Sequence, residues 1–132
     1  MAGSFFDSNV LLYSASTDPA KAEISDRLIA GGGWISVQVL NEVANVSRRK
    51  MLHEWARTHR LLAILQSFLL VTPVDVDIHR LGLSVAERYR LSVWDAMIVA
   101  AALSADCDTL FTEDLHPGLL IDGRLRVVNP FA

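Results

Sequence analysis

Ser92-Val93-Trp94-Asp95-Ala96-Met97-Ile98-Val99-Ala100-Ala101-Ala102-Leu103-Ser104-Ala105 is the stretch on which the reading of this chain turns. Ser92 followed three residues later by Asp95 has the form of a capping box, so a helix should open at Val93 with Asp95 in its first turn. Beyond Asp95 almost every position to Ala105 is apolar. Such a helix has no polar face and must be buried on most sides, which makes it the central helix of a layered protein.

Working outward, Thr109-Leu110-Phe111-Thr112 reads as a strand. A loop containing Pro117, Gly118 and Gly123 then leads to a short last strand at Arg126-Val127-Val128. Upstream, a helix is expected from about Asp77 to Tyr89, a strand at Leu69–Thr72 closed by Pro73, and a helix from about His53 to Gln66. Trp34-Ile35-Ser36-Val37 is a further strand candidate, followed by a long helix in which Val39, Val43 and Val46 keep helical spacing. Asp18-Pro19 opens an earlier helix with apolar positions at Ala22, Ile24, Leu28 and Ile29, and Gly31-Gly32-Gly33 ends it. The first strand, Ser4-Phe5-Phe6, stops at Asp7, and Asn9 to Ala15 forms a helical turn or two. Strands alternating with helices predict an α/β fold: a mainly parallel sheet covered by helices on both faces.

The 132 residues fit one domain large enough to bury a core without disulfides. Just over half are apolar (52%) and a fifth are charged (20%), a balance that excludes disordered and collagen-like chains. Cys107 is the single cysteine, which suits a reducing cytoplasm and leaves no thiol pair for zinc. The apolar run Phe5–Tyr13 is interrupted by Asp7 and Asn9, and it is too short to span a bilayer, so neither a signal peptide nor a membrane anchor is expected. A net charge of −3 is not that of a broad basic nucleic-acid face, so any such contact must be local. Arg48, Arg49, Lys50, Arg57 and Arg60, and again Arg88 and Arg90, are read first as solvated helix ends and faces.

In open parallel sheets the ligand crevice lies beyond the carboxyl ends of the strands. The residues there are acidic: Asp7 after the first strand, Glu42 on the helix after the second, Asp95 opening the central helix, and Asp114 two residues past Thr112. Each has an ordinary structural explanation. Asp7 can cap the turn that follows it, Asp95 can complete the capping box, and Asp114 can shape the turn before His116-Pro117-Gly118. Glu42 is harder to dismiss, because it borders the apolar stripe of its helix and a carboxylate there wants a partner. No lysine is expected near these strand ends, Lys21 and Lys50 being the only two.

Carboxylates about 4 Å apart repel by about 4 kcal/mol per pair at an effective dielectric of 20, so a cluster of them calls for protons or a cation. Oxygen ligands without cysteine or a histidine pair suit Mg²⁺ or Mn²⁺, and His53, His59, His79 and His116 show no metal-site spacing and are read as surface residues, three in helices and His116 in a loop. Such ions keep waters and complete their shell with phosphate oxygens, which points to phosphate chemistry. On this reading Asp7 and Asp95 hold the metal, Asp114 completes the site, and Glu42 orients or deprotonates the attacking water. Asn9, Asn45 and Thr112 are candidate hydrogen-bonding supports.

With these residues in place the chain resembles PIN-domain proteins, and more narrowly the VapC-type toxin ribonucleases of bacterial toxin–antitoxin systems. The resemblance rests on Phe6-Asp7-Ser8-Asn9-Val10-Leu11, Ser36-Val37-Gln38-Val39-Leu40-Asn41-Glu42, Leu91-Ser92-Val93-Trp94-Asp95-Ala96-Met97-Ile98 and Leu110-Phe111-Thr112-Glu113-Asp114-Leu115, in this order and covering the whole chain. It implies a three-layer α/β/α fold, Mg²⁺ or Mn²⁺ dependence, endonucleolytic cutting of RNA, a homodimer, and silencing by a cognate antitoxin. The family usually presents one acid where Glu113 and Asp114 stand side by side, and the role is assigned to Asp114 with Glu113 left open. Leu52, Trp55, Leu61, Leu62 and Leu65 could offer an antitoxin groove but are read as core packing.

Two other classes share parts of this pattern. A phosphoacceptor receiver domain, a signalling or binding module with an acidic Mg²⁺ pocket, needs an acid pair after the first strand and a lysine after the last, where this chain has Asn129-Pro130. A haloacid-dehalogenase-type phosphatase needs a second aspartate two residues after the first, where Asn9 stands. A binding protein that kept the fold and lost the chemistry would not need all four acids.

Overall fold

The computed structural model describes residues 3–132. Six strands form one sheet: β1 (Gly3–Phe6), β2 (Gly33–Ser36), β3 (Leu69–Thr72), β4 (Cys107–Phe111), β5 (Leu120–Ile121) and β6 (Leu125–Val128). Their order is β3-β2-β1-β4-β6-β5, all parallel except β5, which runs antiparallel to β6. The mainly parallel α/β sheet expected from the alternation is therefore present.

The chain moves outward from β1 to β2 to β3 and then crosses back to β4. Crossovers are right-handed, so the connections on the two legs must lie on opposite faces. Contacts agree with this. The helices of the first leg, α1 (Ser8–Leu12), α2 (Pro19–Ala30), α3 (Val37–Arg49) and α4 (Trp55–Phe68), pack among themselves, while α5 (Val76–Tyr89) and α6 (Val93–Ser104) pack against each other. The result is three layers, and β1 and β4 flank the point where the direction of winding reverses.

The decisive helix is α6. Ser92 caps it, its Oγ accepting the Asp95 N–H at 3.1 Å, and every residue from Ala96 to Leu103 is buried. Small alanines let neighbours approach closely, and Gly82 on α5 answers them: a Cβ there would lie 2.6 Å from Met97 Sδ. The sheet side of the core is built from Phe5, Phe6, Ile35, Leu110 and Val127, all essentially inaccessible.

Several boundaries differ from expectation. Ser36 ends β2 and caps α3, its Oγ accepting the Val39 N–H, so Val37 belongs to the helix and not the strand. Thr112 lies just past β4. Strand β5 falls in what the sequence suggests is loop. Two residues are too few for periodicity, and the hairpin is set by its turn, Asp122-Gly123, where both residues take positive φ (52° and 67°). His53 is neither helical nor exposed: it precedes α4 and is buried. Leu52 and Trp55, expected in the core, are exposed at 80% and 58%, whereas Leu65 is fully buried. Among the described residues no helix is long and apolar enough to cross a membrane.

Candidate active site

The register of the sheet brings the first and last of the acids together. Phe6 pairs with Phe111, their rings stacked at 5.5 Å, and the Asp7 N–H continues the ladder by donating to Phe111 O at 3.0 Å. On the other side of β4, the Thr112 N–H donates to Val128 O. Asp7 and Thr112 therefore leave the sheet side by side. Thr112 Oγ1 donates to Asp7 Oδ2 at 2.8 Å, and the Ser8 N–H donates to Asp7 Oδ1 at 2.7 Å. Asp7 is thus both the cap of α1 and a buried acid with both oxygens held.

Thr112 Oγ1 also accepts from Asn9 Nδ2 (3.2 Å) and from the Asp114 N–H (3.1 Å), while Asn9 Oδ1 accepts the Glu113 N–H (3.2 Å). Two of the three expected supports, Asn9 and Thr112, therefore tie the loop after β4 to the start of α1. The third does not join them: Asn45 is exposed and lines a cleft with Ala44, Arg48, Arg49 and Trp55.

Glu42 projects from α3 with its Oε1 buried and without a hydrogen-bond partner, the only such side-chain atom among the described residues. Burial, and then the charges of Asp7 and Asp95, push its carboxyl from an ordinary 4.5 up to about 7. Burial also raises Asp7 above the usual carboxylate range; the hydrogen bonds from Thr112 and Ser8 work against this, and the Asp114 and Asp95 charges add to it. Asp95 is raised by burial, with Asp114 adding. The four acids from four segments thus share one electrostatic field at the sheet's carboxyl edge.

Their donor chemistry fits a hard cation: oxygen only, mostly carboxylate, with one buried oxygen unpartnered. Among the described residues no three His, Cys, Asp or Glu side chains are already drawn into a cage. Of the four acids, Asp7 is buried, Glu42 and Asp95 are half-buried, and Asp114 is exposed. A cleft of about 680 Å³ lined by Ser16, Met51, His53, Arg57 and Arg60 holds none of these acids.

A lysine does reach this edge, contrary to the expectation from sequence. Lys21 Nζ lies 3.3 Å from Glu113 Oε2 and 3.2 Å from the Tyr13 hydroxyl. Nothing in the local pattern of α2 announces this, because the contact joins residues 92 positions apart.

Solved structures with this fold include a toxin–antitoxin complex from Klebsiella pneumoniae, at TM-score 0.73 and 24% identity over 96% of this chain and 97% of that one. Mycobacterium tuberculosis VapC20, described as a sarcin-ricin loop cleaving toxin, matches at TM-score 0.68 and 20% identity over 84% and 91%. A DNA-bound VapBC from Salmonella typhimurium matches at 0.65 and 21% over 96% and 97%. No curated protein sequence matches. The PIN-domain profile matches residues 4–116, from β1 through the loop that carries Asp114, and by that match the chain belongs to the PIN-domain family.

Proposed function

We propose that this protein, acting as one domain over its 132 residues, is a Mg²⁺- or Mn²⁺-dependent endoribonuclease and the toxin of a toxin–antitoxin pair. The observation that carries the proposal is the unpartnered, buried Glu42 Oε1 in the shared field of Asp7, Asp95 and Asp114. A buried carboxylate oxygen without a hydrogen-bond partner costs stability, so its retention beside three other acids argues for use rather than packing.

Asp7, Asp95 and Asp114 would hold the cation, which when bound supplies Lewis-acid stabilisation of charge on phosphate oxygens. Glu42, beside them on α3, would orient the attacking water or take its proton. Thr112 and Ser8 fix both Asp7 oxygens, and Asn9 fixes Thr112, so the acid is oriented before substrate arrives. The similar structures that are toxin–antitoxin complexes support a cognate antitoxin as partner, and the sarcin-ricin loop cleaving toxin supports RNA as substrate. A homodimer and a cytoplasmic location complete the reading; the lone buried Cys107 is compatible with reducing surroundings.

The test is cleavage of total cellular RNA by the antitoxin-free protein in Mg²⁺, Mn²⁺ or EDTA, beside Asp7→Asn and Asp95→Asn. Discrete fragments should form only with metal, and loss of either carboxylate should slow cutting by about 100-fold or more, as removal of a group that stabilises transition-state charge does. Cutting by both variants at the wild-type rate would reject the catalytic assignment.

A further inference from the structure

We propose that Lys21 is a positioning residue that decides which of two adjacent acids serves the active site, withdrawing Glu113 and leaving Asp114 free; the inference rests on the nuclease reading above. Glu113 and Asp114 are neighbours in the loop after β4, and by chemistry alone either could face the other acids. Glu113 is held at two points. Its N–H donates to Asn9 Oδ1, and its Oε2 takes the Lys21 ammonium at 3.3 Å.

That ammonium is itself fixed. It donates to the Tyr13 hydroxyl and lies 4.6 Å from the centre of the Tyr13 ring and 5.4 Å from that of Phe131, two rings that meet edge to face at 4.7 Å. Exposed ion pairs contribute little. In this pair the side chains are only 34% and 23% exposed, whereas every other ion pair among the described residues has a partner at least 45% exposed. The pair joins α2 and the C-terminal Phe131 to the loop that carries Asp114.

Asp114 is held differently. Its N–H donates to Thr112 Oγ1, but among the described residues its carboxylate accepts no hydrogen bond and stays exposed. Without Lys21, Glu113 becomes a fifth carboxylate beside the other four, on a side chain one methylene longer than that of Asp114. An additional carboxylate strengthens the grip on a cation while spoiling the placement that turnover requires.

The experiment compares wild type, Lys21→Ala, Lys21→Arg, Glu113→Gln and Lys21→Ala/Glu113→Gln. Two quantities are read: kcat and KM on a short RNA bearing a mapped cut site, and Mn²⁺ affinity by calorimetry with no RNA present. Lys21→Ala should lower kcat by about tenfold, the scale of lost support for a metal ligand, with KM unchanged and Mn²⁺ bound more tightly. Lys21→Arg and Glu113→Gln should behave as wild type, and the double variant should regain both wild-type values, a non-additivity that only a freed Glu113 produces.

Weaker Mn²⁺ binding in Lys21→Ala would mean ordinary loosening of the loop and overturn the proposal. A raised KM that Glu113→Gln does not rescue would make Lys21 an RNA contact instead. Loss of activity in Glu113→Gln alone would place Glu113 in the site and likewise overturn it. A wild type that neither binds Mn²⁺ nor cuts RNA removes the nuclease reading and this inference together. If wild type does both and Lys21→Ala matches it, the inference alone fails.

Discussion

Two polar clusters, one buried and one partly open to solvent, involve the same helix, α3, and they are finished differently. Near its C-terminal end, Ser47 Oγ meets His53 Nδ1 at 3.0 Å and Thr58 Oγ1 at 2.8 Å, all three residues buried, and the Ser47 carbonyl accepts the His53 N–H. Arg48 adds a bond to the His53 carbonyl while its guanidinium lies over Trp55. Hydroxyl, ring and backbone satisfy one another, and the cluster fixes the turn between α3 and α4. Midway along the same helix, Glu42 is left with a buried oxygen and no partner, in the field of three more carboxylates. A closed network stabilises its own fold, whereas an open, like-charged one is stabilised only by something added to it.

The largest effect on folding should come from breaking the closed cluster. Ser47→Ala leaves a ring nitrogen and a hydroxyl buried and unpaired, which should cost about 1–3 kcal/mol of stability. Chemical denaturation checks the loss, and RNA cleavage per folded molecule should stay at the wild-type level. An unchanged midpoint would show that the cluster is not structural.

A smaller effect, of opposite sign, is expected at the open cluster. Glu42 has a folded pKa raised from 4.5 to about 7, so in the absence of metal the folded state holds its proton more tightly than the unfolded chain. The stability linked to this group is fully present below about 4.5 and is lost as pH rises through about 7. Burial lowers the His53 pKa below its ordinary 6.5, with the Arg57 charge adding, and this titration acts in the opposite direction over part of the same range. The difference between wild type and Glu42→Gln isolates the acid. In EDTA, Glu42→Gln should be more stable than wild type at pH 7.5, and the advantage should vanish by about pH 4.5. Parallel pH profiles would contradict the raised pKa.

The layered fold was legible because α6 announces itself as a helix buried on nearly all sides, the Ser92 cap fixes where it begins, and strands alternate with helices around it. The acids could be found because a parallel sheet gathers the ends of its strands, so residues distant in sequence share a predictable edge. Contacts without a local pattern stayed hidden. Lys21 and Glu113 meet only because α2 and the loop after β4 are brought together in three dimensions, and His53 is buried by a hydroxyl pair on two different helices. Asn45, a candidate support for the acids by sequence, lies instead in the exposed cleft beside Trp55. Helical spacing gives a face, not the direction in which a side chain at the border of that face turns.

The central claim is that the acids at the carboxyl edge are held open for a cation, and thermal melting at pH 7.5 with and without Mn²⁺ tests it most directly. Wild type should gain stability with added Mn²⁺, by about 2.7 kcal/mol at a hundredfold excess over the dissociation constant. Asp7→Asn should melt higher than wild type in EDTA and respond little to Mn²⁺. A wild type indifferent to Mn²⁺, or an Asp7→Asn variant stabilised by it to the same degree, would contradict the account.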